Sequence, residues 1–465
     1  MENIPNPFRS KVLIASGRGN NGGDGIVTHS FLRSFGVDST LLLMDSTQSS
    51  RKLISEYDLS DKNIIIYQPK LSVDNYDWVI DALFGIGLSR DITGDYFSLI
   101  TAINRNPNVI SIDVPSGIFT DDGLEAGISV KAKHTITMGY KKLGHFLNEG
   151  KIKSGNIHVV DIGFKSTPED SFAVKQFETS DYRALLKNYK HNVNKYSRGK
   201  ALIIAGSKGM TGAGILAAKG AIKIGCGLVK SIIPESLNAI FESELIEVIT
   251  VPLNDDHRGF LTNSTLPKIE KDLSWANAIL VGPGLNTTDD SIFLLKSLII
   301  KDSLPKLVLD ASGFEPLIRK YISFKDLPPQ TVLTPHIGEF SKIFDFDIVS
   351  VKNNPISAIR SIIPMIEDSI LILKGSPTFV VNQKNIVMIS DGSPLLATAG
   401  TGDVLSGMIT GLIAQGYSPF VASLLGVFIH ANTTVDFLKI GNRGMVASDI
   451  LYIIPCTMTR LSDEI

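Results

Sequence analysis

The chain has 465 residues, more than one ordinary hydrophobic core holds, so two or three domains are expected. Its 45 basic and 47 acidic side chains leave a net charge of −2, an even balance that argues against a nucleic-acid partner. The two cysteines, Cys226 and Cys456, stand far apart and outside any metal-ligand spacing; this argues against a disulfide framework or structural zinc and fits a reducing compartment.

Met1 to Ser10 show no apolar run of a secretory signal, and a cytoplasmic protein is expected. Short β-rich runs then alternate with helical patterns, which predicts an α/β protein of parallel sheets covered by helices. The first series of strands is read at residues 11–16, 40–44, 63–67, 78–83, 109–114, 134–138 and 157–160. Several end in Gly, Asp or Pro-Ser-Gly, and ligand loops gather at the carboxyl ends of parallel strands. A polar stretch at 165–175 is read as the linker, giving domains at 1–170 and 176–465. In the second series, strands are expected at 200–205, 228–233, 279–281, 306–310, 332–333, 370–373, 378–381 and 386–389, with a helix at 212–225.

Between Asp391 and Asp436 the only formally charged side chain is Asp403. The apolar runs at 404–414 and 420–431 fall short of the roughly 20 residues a membrane span needs, so they are read as buried core helices, with no membrane partner.

The loop Gly17-Arg18-Gly19-Asn20-Asn21-Gly22-Gly23-Asp24-Gly25 joins a strand to a helix. Gly17-x-Gly19-x-x-Gly22 fits a dinucleotide fingerprint, and Asp45 ends the next strand at about the ribose-binding distance. A plain strand-to-helix turn is the bland alternative, but such a turn does not require Asn20, Asn21 and Asp24. Backbone N–H groups here suit phosphate, and the Asn and Asp side chains supply oxygens.

Three blocks, Asn20 to Gly25, Asp81-Ala82-Leu83-Phe84-Gly85-Ile86-Gly87-Leu88 and Ile112-Asp113-Val114-Pro115-Ser116-Gly117, resemble the NAD(P)H-hydrate epimerases in order and spacing. The resemblance implies a Rossmann-like three-layer domain that interconverts R and S hydrates and binds potassium. It implies Asn21, Asp81 and Ser116 as potassium ligands. The hydrate would meet Asn20, Asn21, Gly22, Gly23 and Asp24, then Gly85, Ile86, Gly87, Leu88, Ser89, Arg90 and Asp91, and Asp113 as the catalytic group that assists proton movement. Asp81 and Asp113 could instead simply cap strand-end turns. Members of that family carry further helices before the first strand, which begins here near Lys11; the expectation is a weak or subunit-dependent epimerase and a homo-oligomer.

Asp391-Gly392-Ser393-Pro394 and Ala397-Thr398-Ala399-Gly400-Thr401-Gly402-Asp403 carry the strongest signal. Small residues let N–H groups converge on an anion at a helix start, and a lone carboxylate in an apolar stretch is costly unless it has a task. A helix N-cap is its structural alternative. The block resembles the ribokinase-like superfamily, and within it the ADP- or ATP-dependent NAD(P)H-hydrate dehydratases. Gly282-Pro283-Gly284-Leu285, Thr334-Pro335-His336-Ile337-Gly338-Glu339 and Leu373-Lys374-Gly375 follow in that family's order.

By this resemblance Ala213, Gly284, His336 and Asp403 face the hydrate, and Lys374, Gly375, Ser376, Pro377, Thr378 and Gly402 hold ADP or ATP with Mg2+. Asp403 would take the proton of the ring hydroxyl, which is phosphorylated and then lost as phosphate. Two departures stand out. Ser312-Gly313-Phe314 follow Ala311 where the family places a second Asp, and Asn286 replaces the last glycine of Gly-Pro-Gly-Leu-Gly. A ribokinase-like kinase for a vitamin-precursor alcohol, with a non-catalytic N-terminal module, is the main alternative; a nicotinamide dehydrogenase rests on the glycine fingerprint alone.

Overall fold

A computed structural model describes residues 6–59, 61–69, 71–164, 173–187, 194–301 and 303–463. The chain divides into two compact units, 1–168 and 169–465. Most of the linker expected at 165–175 lies outside the described residues.

The first unit is a sheet of seven parallel strands: β1 (Lys11–Ser16), β2 (Asp38–Leu43), β3 (Ile64–Ile66), β4 (Trp78–Ala82), β5 (Val109–Ile112), β6 (His134–Met138) and β7 (Asn156–Val160). Their spatial order is β3-β2-β1-β4-β5-β6-β7. β4 is buried at every position, and β1 at all but its first residue. Strands covered on both faces read as continuous apolar runs, which is why periodicity found them. Separate apolar clusters line the two faces, one around Leu13, Val79 and Ile100, the other around Ile14, Ile26 and Ile80.

The second unit carries ten strands: β8 (Val174–Gln176), β9 (Lys200–Ile204), β10 (Leu228–Pro234), β11 (Ile249–Leu253), β12 (Ala278–Val281), β13 (Lys306–Leu309), β14 (Val332–Leu333), β15 (Ile370–Leu373), β16 (Thr378–Val381) and β17 (Ile386–Ile389). The order is β11-β10-β9-β12-β13-β14-β15-β16-β17-β8. The sheet is mixed, not purely parallel, because β16 runs antiparallel to both β15 and β17. Two edge strands, β11 and β8, lie outside the runs expected from sequence. β11 contains Pro252, which lacks an N–H for a second ladder and is tolerated at an edge. β8, Val-Lys-Gln, looks like linker but pairs in parallel with β17.

The apolar runs at 404–414 and 420–431 form the buried helices Thr401–Ala414 and Pro419–Phe437. The second is long and apolar enough to cross a membrane by length and composition, yet it is largely buried within the unit. Helix Thr401–Ala414 lies hard against helix Thr211–Lys223. A Cβ on Gly407 would sit 2.0 Å from the Ala217 carbonyl oxygen, and one on Gly220 2.6 Å from that of Val404. This glycine-permitted approach fixes where the first helix starts, and so where Asp403 stands.

Candidate active sites

In the first unit β1 and β4 are neighbours although the chain leaves them toward opposite edges, so the loops at their carboxyl ends part and open a crevice. Helix Asn20–Ser34 starts there with Gly19 as N-cap and no side-chain cap. Gly17 and Gly22 are fixed by packing: a Cβ on either would lie 2.0 Å from a carbonyl oxygen, of Leu83 and of Gly17 respectively. Gly19 is different, since a Cβ there would meet nothing within 4 Å. Its bare backbone suits ligand approach. The crevice, about 760 Å³, is walled by Asn20, Asn21, Asp24, Gly85 to Leu88, Arg90, Asp91 and Asp113. Gly22, Gly23 and Ser89 do not line it: Gly22 packs on Gly17, a Cβ on Gly23 would face Leu53, and Ser89 is exposed.

Asp81, next to last in β4, is completely buried. Its carboxylate accepts from Ser116 Oγ (2.6 Å), Ser116 N (2.9 Å), Ser111 Oγ (2.8 Å) and Leu83 N (3.2 Å). Burial raises its pKa while these four donors pull it down. Asp81 therefore organises Ser116, whose Oγ accepts from Phe84 N at 2.8 Å. Asn21 donates its Nδ2 to Phe84 O at 3.0 Å, and its buried Oδ1 has no hydrogen-bond partner.

Asp113 follows β5 in the left-handed backbone region, φ +69°, and is buried. Lys142 Nζ and Thr137 Oγ1 (3.2 Å) donate to its Oδ1. His145 Nε2 meets the Asp113 carbonyl at 3.0 Å; burial holds that imidazole neutral, with its pKa lowered to about 4. Asp24 faces the same crevice with its pKa raised, first by burial and then by the Asp113 charge. Lys142, Thr137 and His145 were not picked out from sequence. Their signal was positional: they lie on and just beyond β6, the strand beside Asp113.

In the second unit three adjacent strands deliver charged groups from their carboxyl ends. Asp310 follows β13, the His336–Glu339 turn follows β14, and Lys374 follows β15. Lys374 N donates to Pro335 O at 2.9 Å, and a parallel bridge sets His336 beside Lys374. Lys374 Nζ then lies 3.0 Å from Asp310 Oδ1 and 3.9 Å from Glu339 Oε2. It also reaches the helix start, since a Cβ on Gly402 would be 3.3 Å from it. Burial works to lower the Lys374 pKa, but the carboxylates of Asp310, Glu339 and Asp403 outweigh it and hold the ammonium above its usual value.

Gly400, at φ +89°, turns the chain into helix Thr401–Ala414, and Asp403 stands in the first turn. No side chain caps this end, and the expected N-cap alternative for Asp403 does not occur. Burial first, then the nearby Asp310 charge, push Asp403 up to about 7, with Lys374 opposing. The turn is tied down from behind: Thr401 Oγ1 donates to Leu396 O at 2.9 Å, and His430 Nε2 meets Thr401 O at 3.0 Å. A buried carboxylate with a raised pKa beside an uncapped helix start can accept a hydroxyl proton next to a bound anion.

The family profile described as NAD(P)H-hydrate dehydratase matches residues 201–456, and that of the YjeF-related protein N-terminus matches 2–144. The bifunctional NAD(P)H-hydrate repair enzyme Nnr of Dictyoglomus turgidum is 32% identical over 96% of this chain and 88% of its own length. The chain belongs to the bifunctional NAD(P)H-hydrate repair enzymes. Its second half is the dehydratase and its first the epimerase. The repair enzyme of Escherichia coli is 26% identical over 94% of this chain and 83% of its own. Among solved structures, the ADP/ATP-dependent NAD(P)H-hydrate dehydratase from Bacillus subtilis superposes with a TM-score of 0.54 at 23% identity, covering 62% of this chain and 99% of that one. A ribokinase-like protein from Enterococcus faecalis gives 0.55 at 20%, over 64% and 99%. These two fix the fold of the second half as ribokinase-like.

Ala213 and Gly284 of the repair enzyme come together beyond the carboxyl ends of the neighbouring strands β9 and β12, where a Cβ on Gly284 would lie 2.9 Å from the Ala213 side chain. His336 caps helix Ile337–Phe344 through Nδ1, which accepts from Gly338 N and Glu339 N, and its side chain is otherwise exposed. Glu339 closes that box by accepting from His336 N at 2.8 Å. The Gly375–Thr378 loop is held by two hydrogen bonds: Thr378 Oγ1 donates to Gly375 O at 2.8 Å, and Ser376 Oγ to Gly392 O at 3.1 Å. Both departures have local roles. Ser312 Oγ donates to Leu285 O at 2.8 Å, and Asn286 Oδ1 accepts from Thr288 N at 2.8 Å just before helix Asp289–Ile299.

Proposed function

We propose that dehydration of S-NAD(P)H-hydrate runs at the Gly400–Asp403 turn, with Asp403 as the base, and that R/S interconversion runs in the Asp24–Asp113 crevice. The observation that supports the first assignment is Asp403 itself, raised to about 7 at an uncapped helix start with Lys374 alongside. Asp403 accepts the proton of the ring hydroxyl, and the freed oxygen attacks a terminal phosphoryl group, breaking its bond to the next phosphate and releasing AMP from ADP or ADP from ATP. The N–H groups of the first helical turn stabilise charge developing on that group. Loss of phosphate with a ring proton then returns the double bond.

ADP or ATP supplies the phosphoryl group; the Bacillus subtilis relative was crystallised with ATP and Mg2+. Lys374, the Gly375–Thr378 loop and Gly402 would hold the nucleotide, while Ala213, Gly284 and His336 would face the hydrate. Among the described residues no cluster of three His, Cys, Asp or Glu is placed to hold a metal, so Mg2+ fits best as an ion carried by the phosphates and water.

In the first unit, inverting the carbinol carbon requires its C–O bond to break and re-form from the other ring face. One proton must reach the leaving oxygen and another must leave the entering water. Asp24 and Asp113 face one crevice, and Lys142 orients Asp113 for that exchange. The potassium expected from Asn21, Asp81 and Ser116 fits the buried, unpartnered Asn21 Oδ1. Such an ion would supply fixed positive charge to the anionic part of the substrate. Asn21 is its best ligand here, since Asp81 already holds four donors.

The test uses the full chain. S-hydrate with ADP or with ATP should regain dihydronicotinamide absorbance, and R-hydrate should convert to S without nucleotide. No recovery with either nucleotide would sink the dehydratase assignment; R-hydrate left unchanged would sink that of the crevice.

A further inference from the structure

The crevice of the first unit mixes apolar walls, such as Leu83, Phe84, Ile92 and Met138, with charged groups at its two ends. Asp24 and Asp113 occupy its inner part, whereas the guanidinium groups of Arg18 and Arg90 stand at the exposed rim. That polarity suits a neutral hydrated ring inside and phosphates outside. Beyond the helix start, in a doubly wound sheet, lies the adenosine ribose of a bound dinucleotide, at the end of the second strand. Here that place is built. Met44 N donates to Ser16 O at 3.1 Å, continuing the β1–β2 ladder by one residue and setting Asp45 beside the glycine loop. Arg18 Nη2 pairs with Asp45 Oδ2 at 2.7 Å. Tyr96 completes the corner: it lines the crevice, packs on Phe84 at 4.6 Å between ring centroids, and feels the charges of both Arg18 and Asp45.

We propose that the Arg18–Asp45 pair reads the adenosine ribose and makes the epimerase half prefer NADH-hydrate to NADPH-hydrate. The inference rests on the epimerase reading of this crevice. A carboxylate at this position accepts a hydrogen bond from a free ribose 2′-hydroxyl. A 2′-phosphate would meet the same carboxylate as a like charge and find the nearest guanidinium engaged. Both side chains are half exposed or more, so water and salt screen the effect and keep it modest.

The experiment measures initial R-to-S rates for both hydrates at low and at physiological salt. Wild type is expected to favour NADH-hydrate by about five- to tenfold in kcat/KM, through KM, and less so in salt. Asp45→Asn removes the repulsion and frees Arg18, so the ratio should fall to unity or invert with kcat kept. Adding Arg18→Ala to that variant should cancel the gain for NADPH-hydrate alone. A wild-type ratio favouring NADPH-hydrate, or one unmoved by Asp45→Asn, overturns the proposal. If wild type converts neither hydrate, the epimerase reading falls. Titration with NAD+ and NADP+ then decides the pair: a preference for NAD+ that Asp45→Asn erases supports it, and any other result overturns it.

Discussion

The two halves share the order of their central strands and use it differently. Each has its first long strand beside one that returns from the far edge, β1 beside β4 and β9 beside β12, so the connections part at the same point of each sheet. In the epimerase half, the glycine loop at that point heads the helix and walls the crevice. In the dehydratase half, Ala213 lies in the first turn of helix Thr211–Lys223 at the corresponding point, and the turn proposed to hold the anion comes from residues 400–403, far along the chain. The carboxylates differ accordingly. Asp113 is tied to Lys142 and Thr137, whereas Asp403 has neighbouring carboxylates and a raised pKa. A shared sheet therefore fixes where a ligand goes but leaves open which proton chemistry waits there.

Substitutions that separate the halves give the largest effects. Asp403→Asn should lower kcat for dehydration roughly 10²- to 10⁴-fold with nucleotide affinity nearly intact, because the amide keeps the shape but accepts no proton. Retention of more than about a tenth of wild-type kcat would show that Asp403 is not the base. Asp113→Ala should slow R-to-S conversion on the order of 10²-fold while dehydration of S-hydrate stays unchanged; an unaltered rate removes Asp113 from the mechanism.

Lys374→Ala probes the charge cluster. Losing the ammonium should cost about 1.5–3 kcal/mol in nucleotide binding and less in hydrate binding, as read by calorimetry; equal losses would count against the assignment. Because Lys374 lowers the Asp403 pKa, the same variant should move the pH midpoint of dehydration upward. In wild type that midpoint is expected near 7. Below it, Asp403 is protonated and kcat/KM should fall about tenfold per pH unit; above it, the rate should level off. A flat profile across the neutral range would detach the raised carboxylate from catalysis.

The smallest contrast lies within one loop. Gly22→Ala should destabilise the first unit by about 1–3 kcal/mol, since its Cβ has no room. Gly19→Ala should leave the melting temperature unchanged and raise KM for the hydrate. The reverse pattern would mean that Gly19 serves the fold.

Much of this is legible in the amino-acid sequence. The strands at 332–333, 370–373, 378–381 and 386–389 coincide with the observed ones, because buried strands carry unbroken apolar runs bounded by turn residues. β8 and β11 escaped because edge strands need not be apolar: one reads Val-Lys-Gln, the other holds a proline. The reversal at β16 escaped because strand direction leaves no mark on periodicity. Asp403 and Asp113 stood out through their motifs. Their partners did not, because Lys142, His145, Asp310 and Glu339 acquire meaning only when neighbouring strands bring their ends together.

Strand β8 also bears on how the two activities can be taken apart. The dehydratase profile begins at residue 201, which invites a cut just before it. Such a cut would remove the strand that covers the free edge of β17, together with Phe177 and Tyr182, both buried against Phe428. The fragment would present an open ladder of N–H and C=O groups and a hole in its core, and would tend to aggregate. The severable joint of this protein lies before Val174, upstream of where kinship alone would place it.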